Sequence, residues 1–153
     1  MIIDCEGLIM TKFEMTVALI VLLFANAITV SAGSLSDTEK SVIKLTIFTV
    51  LDNTGHFNYV KADVGWDDTV KIWYIPKNSD SDAAITTLGE IVGVYVGVLK
   101  TVPRASDLFI MIGTQDNVAG KMYCLRTWVP SGDMTTEEAG LLGLKVLGTF
   151  EAT

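Results

Sequence analysis

Histidine occurs once in the 153 residues, at His56, and cysteine twice, at Cys5 and Cys124. A lone histidine cannot supply the several His, Cys or carboxylate ligands of an ordinary zinc site. Two distant cysteines give no disulfide framework, and a domain without Cys5 can close no internal bridge. Cys124 lies in an apolar stretch, where a thiol serves as a small core residue. Charge is sparse too. Asp, Glu, Lys and Arg make up 19% of the chain, where about a quarter is usual. With 11 basic against 18 acidic side chains the net charge is −7. That argues against nucleic acid as a main partner, because phosphate binding needs a basic face. It also argues against electrostatic docking on an anionic membrane.

Catalytic signatures are missing as well. No glycine-rich run ends in Gly-Lys-Ser/Thr, and no dinucleotide fingerprint stands between a strand and a helix. No nucleophile-elbow pattern surrounds a serine. Asn26, Asn53, Asn58, Asn78 and Asn117 each lack Ser or Thr two places on, so there is no glycosylation sequon. Asp67 with Asp68 and Asp80 with Asp82 do not follow the calcium-loop order and are expected to be solvated turns. No cofactor or metal ligand set is expected, and no catalytic residue is assigned.

What the chain has in excess is apolar content, 50% of residues. The richest run is Met15 to Ala32, which holds no charge. It ends Val30-Ser31-Ala32-Gly33, a pattern that suits signal-peptidase cleavage after Ala32. Its 18 residues also reach the lower bound for a spanning helix. Residues 1–32 are therefore expected to be a signal peptide or an N-terminal membrane anchor, with a core helix as the weaker reading. Lys12 opposes Asp4, Glu6 and Glu14, a poor positive-inside flank. Initiation at Met10 would remove two of those acids.

Residues 33–153 are expected to form a single extracytoplasmic α+β domain. Without Lys12, Asp4, Glu6 and Glu14 this part has ten basic and fifteen acidic side chains, a net charge of −5. Ser36 with Glu39 has capping-box spacing, and Val42, Ile43, Ile47, Val50 and Leu51 recur at helical intervals, which predicts a helix over 36–51. Two strands around Phe57–Ala62 and Val70–Ile75 follow, joined at Trp66–Thr69. The charge pattern of this hairpin is mixed, so both of its faces are expected to be partly covered. Pro76 ends the second strand.

A helix over 82–101 comes next, with Asp82 as its N-cap and Gly89, Gly93 and Gly97 at four-residue spacing. Three glycines on one face predict close packing against another backbone, either on a sheet or as a small-residue stripe in a membrane. The valines of this segment also permit a pair of strands. Strands over 107–114 and 121–129 follow. Thr135 with Glu138 opens a last helix over 135–148. The order is α-β-β-α-β-β-α, and two hairpins separated by a helix predict a mainly antiparallel four-stranded sheet with helices on one face.

The aromatic residues are the most suggestive feature. Trp66, Trp73, Tyr74, Tyr123 and Trp128 fall on the two hairpins or their turn. Alternation would set Trp73 and Trp128 on one face, either as core or as a binding or oligomer surface. Arg126, with Arg104, is a candidate anion contact beside it. The leading expectation is a non-enzymatic extracytoplasmic interaction or self-assembling domain, secreted or membrane-tethered, whose partner is a protein or itself. The alternatives are a small ligand-binding domain or hydrolase using His56 and carboxylates, and an integral membrane subunit.

Overall fold

A computed structural model describes residues 34–153. The expected signal or anchor over 1–32 lies outside the described residues. Helix α1 (Asp37–Thr54) is followed by strands β1 (Phe57–Val64) and β2 (Val70–Pro76), then α2 (Ser81–Thr101). Strands β3 (Leu108–Thr114) and β4 (Asn117–Cys124) lead through a 3₁₀ turn (Arg126–Trp128) to α3 (Thr136–Leu147) and a two-residue strand β5 (Glu151–Ala152).

Local chemistry sets the ends of these elements. In α1 the Ser36 Oγ accepts from the Glu39 N–H, while the Ser36 N–H donates to Glu39 Oε2 at 2.7 Å. Thr135 and Glu138 make the same reciprocal pair at α3. Both occupy backbone donors that a helix start leaves unpaired. Gly55 ends α1 at φ +73°, a left-handed position that glycine takes without a Cβ clash. For α2 the cap is Asp80 and not Asp82. The Asp80 Oδ1 accepts from the Ala83 N–H at 2.8 Å, so the helix begins one residue earlier than the apolar pattern indicated.

The sheet has the order β1-β2-β3-β4-β5 among the described residues. Three of its pairings are antiparallel, and the central one, β2 with β3, is parallel. This corrects the four-stranded expectation in two ways. A fifth short strand pairs Glu151 with Lys121 at the far edge. The two hairpins also join in parallel, because α2 carries the chain back along the sheet before β3 starts. A parallel neighbour requires such a crossover. At about 1.5 Å per residue, a helix of this length spans more than a seven-residue strand at about 3.3 Å each.

Helices α1, α2 and α3 share one core with one face of the sheet. Val70, Ile72 and Tyr74 of β2, Leu108 and Ile110 of β3, and Met122 and Cys124 of β4 are buried there. They meet Ile43, Ile47 and Leu51 of α1, Ile91, Val94 and Tyr95 of α2, and Leu142 and Val146 of α3. The valine-rich segment is thus a helix and not a pair of strands. Helix α2 is long and apolar enough to cross a membrane by length and composition. Its Leu88, Ile91, Val92, Val94, Tyr95, Val98 and Leu99 are nevertheless buried within the domain. The Tyr95 hydroxyl donates to the Ser106 carbonyl at 2.5 Å and so ties the helix to the loop before β3.

Two glycines sit where an added side chain would clash. Gly113 has φ +127°, and a Cβ there would lie 2.1 Å from the Asn117 carbonyl oxygen. At Gly120 a Cβ would meet the Phe150 ring at 2.6 Å. The glycine stripe of α2 has a different setting. Gly89 and Gly93 are exposed and Gly97 is half-buried. A Cβ added at Gly89 would meet nothing within 4 Å, so no described backbone approaches it.

Candidate functional site

The second face of the sheet carries no helix. Its side chains follow from strand alternation, since neighbours in register point the same way. One row across the strands runs Lys61, Trp73, Met111, Lys121, Glu151. The next runs Asp63, Lys71, Phe109, Tyr123. Tyr59 and Ile75 pair beyond the first row. Phe109 is 40% exposed and Tyr123 38%, while Tyr59, Trp73, Ile75 and Met111 are half-buried. Tyr59 also lines a groove against Leu45 and Phe48 of α1. The result is an apolar, aromatic strip flanked by charges of both signs.

Trp73 therefore belongs to the open face and not to the core. Trp128 does not follow strand alternation, because β4 ends at Cys124 and Trp128 lies in the 3₁₀ turn. It still reaches the same group of rings. Its ring centroid is 5.7 Å from that of Tyr123, which is 6.4 Å from that of Phe109. The Lys145 ammonium of α3 sits 4.3 Å over the Trp128 ring. Trp66 is separate from this group. It projects from the β1–β2 turn and is 89% exposed.

The candidate anion contacts are engaged inside the domain. The Arg126 N–H donates to Asp107 Oδ1 at 2.7 Å, and its guanidinium donates to the Pro103 carbonyl at 3.3 Å. Arg104 forms an ion pair with Glu39, which is fully buried. Burial pushes the Glu39 carboxyl up, but the Ser36 N–H and the Arg104 guanidinium outweigh it and hold the pKa below its ordinary value. A 65-residue separation hides this pair from any local motif.

His56 is 52% exposed at its side chain, and its Nδ1 lies 2.7 Å from Glu90 Oε1 on α2. Burial raises the Glu90 pKa, and the His56 contact partly opposes that rise. The pair links the α1–β1 turn to α2. It could pass a proton, but the contacts described for it include no nucleophilic side chain. Two clefts lie elsewhere among the described residues. An open groove of about 410 Å³ runs between α1 and the edge strand β1, lined by Leu45, Phe48, Tyr59 and Ala62. A smaller one of about 240 Å³ lies between Trp128 and α3.

The acidic pairs serve the backbone. Asp67 Oδ1 accepts from the Thr69 N–H at 3.2 Å. The Asp68 carboxylate receives the Leu35 N–H at 3.1 Å and anchors the start of α1 to the β1–β2 turn. Asp68 itself has φ +64°. Among the described residues no three His, Cys, Asp or Glu side chains converge as a metal site. Cys124 is fully buried, and burial pushes its thiol up to about 11, which suits packing and not nucleophilic use.

No protein-family model matches the chain, and neither does any curated protein or solved structure compared with it.

Proposed function

We propose that residues 33–153 form a non-enzymatic protein-interaction domain that works through the open face of its sheet. The observation that carries this reading is the apolar strip of Trp73, Met111, Phe109 and Tyr123 on a face that no described element covers. A one-sided antiparallel sheet normally alternates apolar inward and polar outward. Here the outward parity also carries Trp73, Met111, Phe109 and Tyr123 among its charges, and exposed apolar patches rimmed by polar residues mark interaction surfaces. Aromatic side chains and methionine are enriched at such surfaces. We further propose an extracytoplasmic setting, with residues 1–32 acting as export signal or anchor. The uncharged run Met15–Ala32 and its small-residue end support that setting.

Oxidative labelling tests the first part. Met111 and Trp73 are expected to be protected in intact cells relative to the purified, dilute protein. Equal labelling in both would sink the interaction reading. Intact mass and N-terminal sequencing of the native protein from fractionated cells test the second. A cytoplasmic protein that keeps residues 1–32 would overturn it.

A further inference from the structure

Resting on that reading, we infer that the occupant of the open face is a second copy of this chain, packed face to face about a twofold axis running along β3. The central strand of the described sheet is β3, with two strands on each side. A twofold along it lays β1 of one copy over β5 of the other, and β2 over β4. A closed homodimer needs one patch that is complementary to itself, and the two rows meet that condition.

In the first row Met111 falls on the axis and meets itself. Trp73 comes opposite the partner's Lys121, a cation–π pairing. Lys61 comes opposite the partner's Glu151, which pairs at 3.0 Å with Lys121 of its own chain, so the carboxylate would lie between two ammonium groups. In the second row Phe109 meets itself, and Lys71 comes opposite the partner's Tyr123. Apolar residues thus hold the central strand, each lysine of β2 and β4 comes opposite an aromatic ring of the partner, and Lys61 and Glu151 stand at the edges. The alternative twofold, across the strands, lays β1 over β1. Centred on the Met111 row it would bring Lys61 near the partner's Lys61 and Glu151 near the partner's Glu151, juxtaposing like charges; centred between the rows it would set Lys61 over the partner's Asp63 but leave Glu151 opposite no cation of the partner.

The test uses the full-length chain carrying Cys5→Ser, with single cysteines introduced on the face and a short bismaleimide as cross-linker. Packed sheets lie about 10 Å apart and strands about 4.8 Å apart. Met111→Cys is expected to cross-link to itself in high yield. Lys61→Cys, about 22 Å from its own mate across four strand spacings and one sheet spacing, is expected to cross-link poorly alone. It should cross-link well when mixed with Glu151→Cys. Met111→Asp, with its fold checked by circular dichroism, is expected to weaken the dimer about a hundredfold in sedimentation equilibrium, because two carboxylates would meet at a buried axis.

A dimer that shows no cross-link at 111 and persists in Met111→Asp is held elsewhere and overturns the inference. So does efficient self-linking at 61. A chain that stays monomeric while Met111 is protected in cells overturns the second copy as occupant and leaves the interaction reading standing. A monomer whose Met111 is equally accessible everywhere removes both.

Discussion

The two faces of this sheet are built from the same strands and differ by one residue of register. On the helix side, Ile72, Ile110 and Met122 stand in one row, all almost fully buried. One position along, Trp73, Met111 and Lys121 stand in the adjacent row and look outward. The inner face is purely apolar apart from its thiol and tyrosine. The outer face mixes aromatic rings with Lys61, Asp63, Lys71 and Lys121. Apolar residues stand at both parities, and charges at one only. A face covered permanently by helices can exclude charge. A face that must also meet water keeps charges at its rim.

This contrast can be broken from the inside first. Ile110→Ala empties a fully buried site and is expected to cost about 2–5 kcal/mol in urea unfolding. A loss below 1 kcal/mol would mean the inner face is not the packed one. Glu39→Gln leaves Arg104 partly buried without its carboxylate, a change expected to cost about 3 kcal/mol. The pH dependence has a definite sign. The Glu39 pKa is lower in the folded state, so its contribution is present above its ordinary value of 4.5 and is lost as pH falls through the lowered folded value. The Glu39→Gln variant should lack that acid-side slope, and an unchanged slope would remove the assignment. Glu90 acts in the opposite direction. Its raised pKa makes the folded state lose stability as pH rises through the interval above 4.5.

The β3–β4 turn comes next. Gly113→Ala forces a side chain into a positive-φ position against the Asn117 carbonyl and is expected to cost about 1–3 kcal/mol. An unaltered midpoint would show that the turn relaxes freely. On the outer face, Met111→Gln is expected to change monomer stability by less than about 1 kcal/mol while weakening association. Equal damage to both would make the face structural. The smallest effect belongs to Trp66→Ser at the hairpin tip, within about 0.5 kcal/mol. A larger loss would mean that this exposed ring packs on something in the full chain.

Much of the local structure was legible because its causes are local. Capping boxes at Ser36 and Thr135 need residues three apart, and both form as the spacing indicated. The 3.6-residue pattern before Asp52 and the alternation before Pro76 gave α1 and β2. Boundaries slipped where a second residue could do the same work, as when Asp80 capped α2 in place of Asp82. Trp128 was misplaced because alternation was carried past Cys124. The chain leaves the sheet there, and the Arg126 N–H turns to Asp107.

The candidate site was legible only as composition. Tryptophan and tyrosine on two hairpins signalled a surface, yet their assignment to core or exterior depends on where the helices lie. Apolar residues at both parities do not say which parity the helices will take. The ion pairs of Glu39 with Arg104 and of His56 with Glu90 join residues 65 and 34 apart. Neither could be read from spacing.

By itself, then, the sequence determined the α+β order, the capping boxes that start α1 and α3, the uncharged run at Met15–Ala32 and the lack of a catalytic signature. Periodicity, capping and turn chemistry act over a few residues, so they are written in consecutive letters. Tertiary structure alone decided that the hairpins join in parallel, that Trp73, Met111, Phe109 and Tyr123 share one open face, and that Arg104 and Arg126 serve the fold. Those outcomes follow from how α2 returns the chain across the sheet and which face it covers, a choice made by burial of the whole core at once.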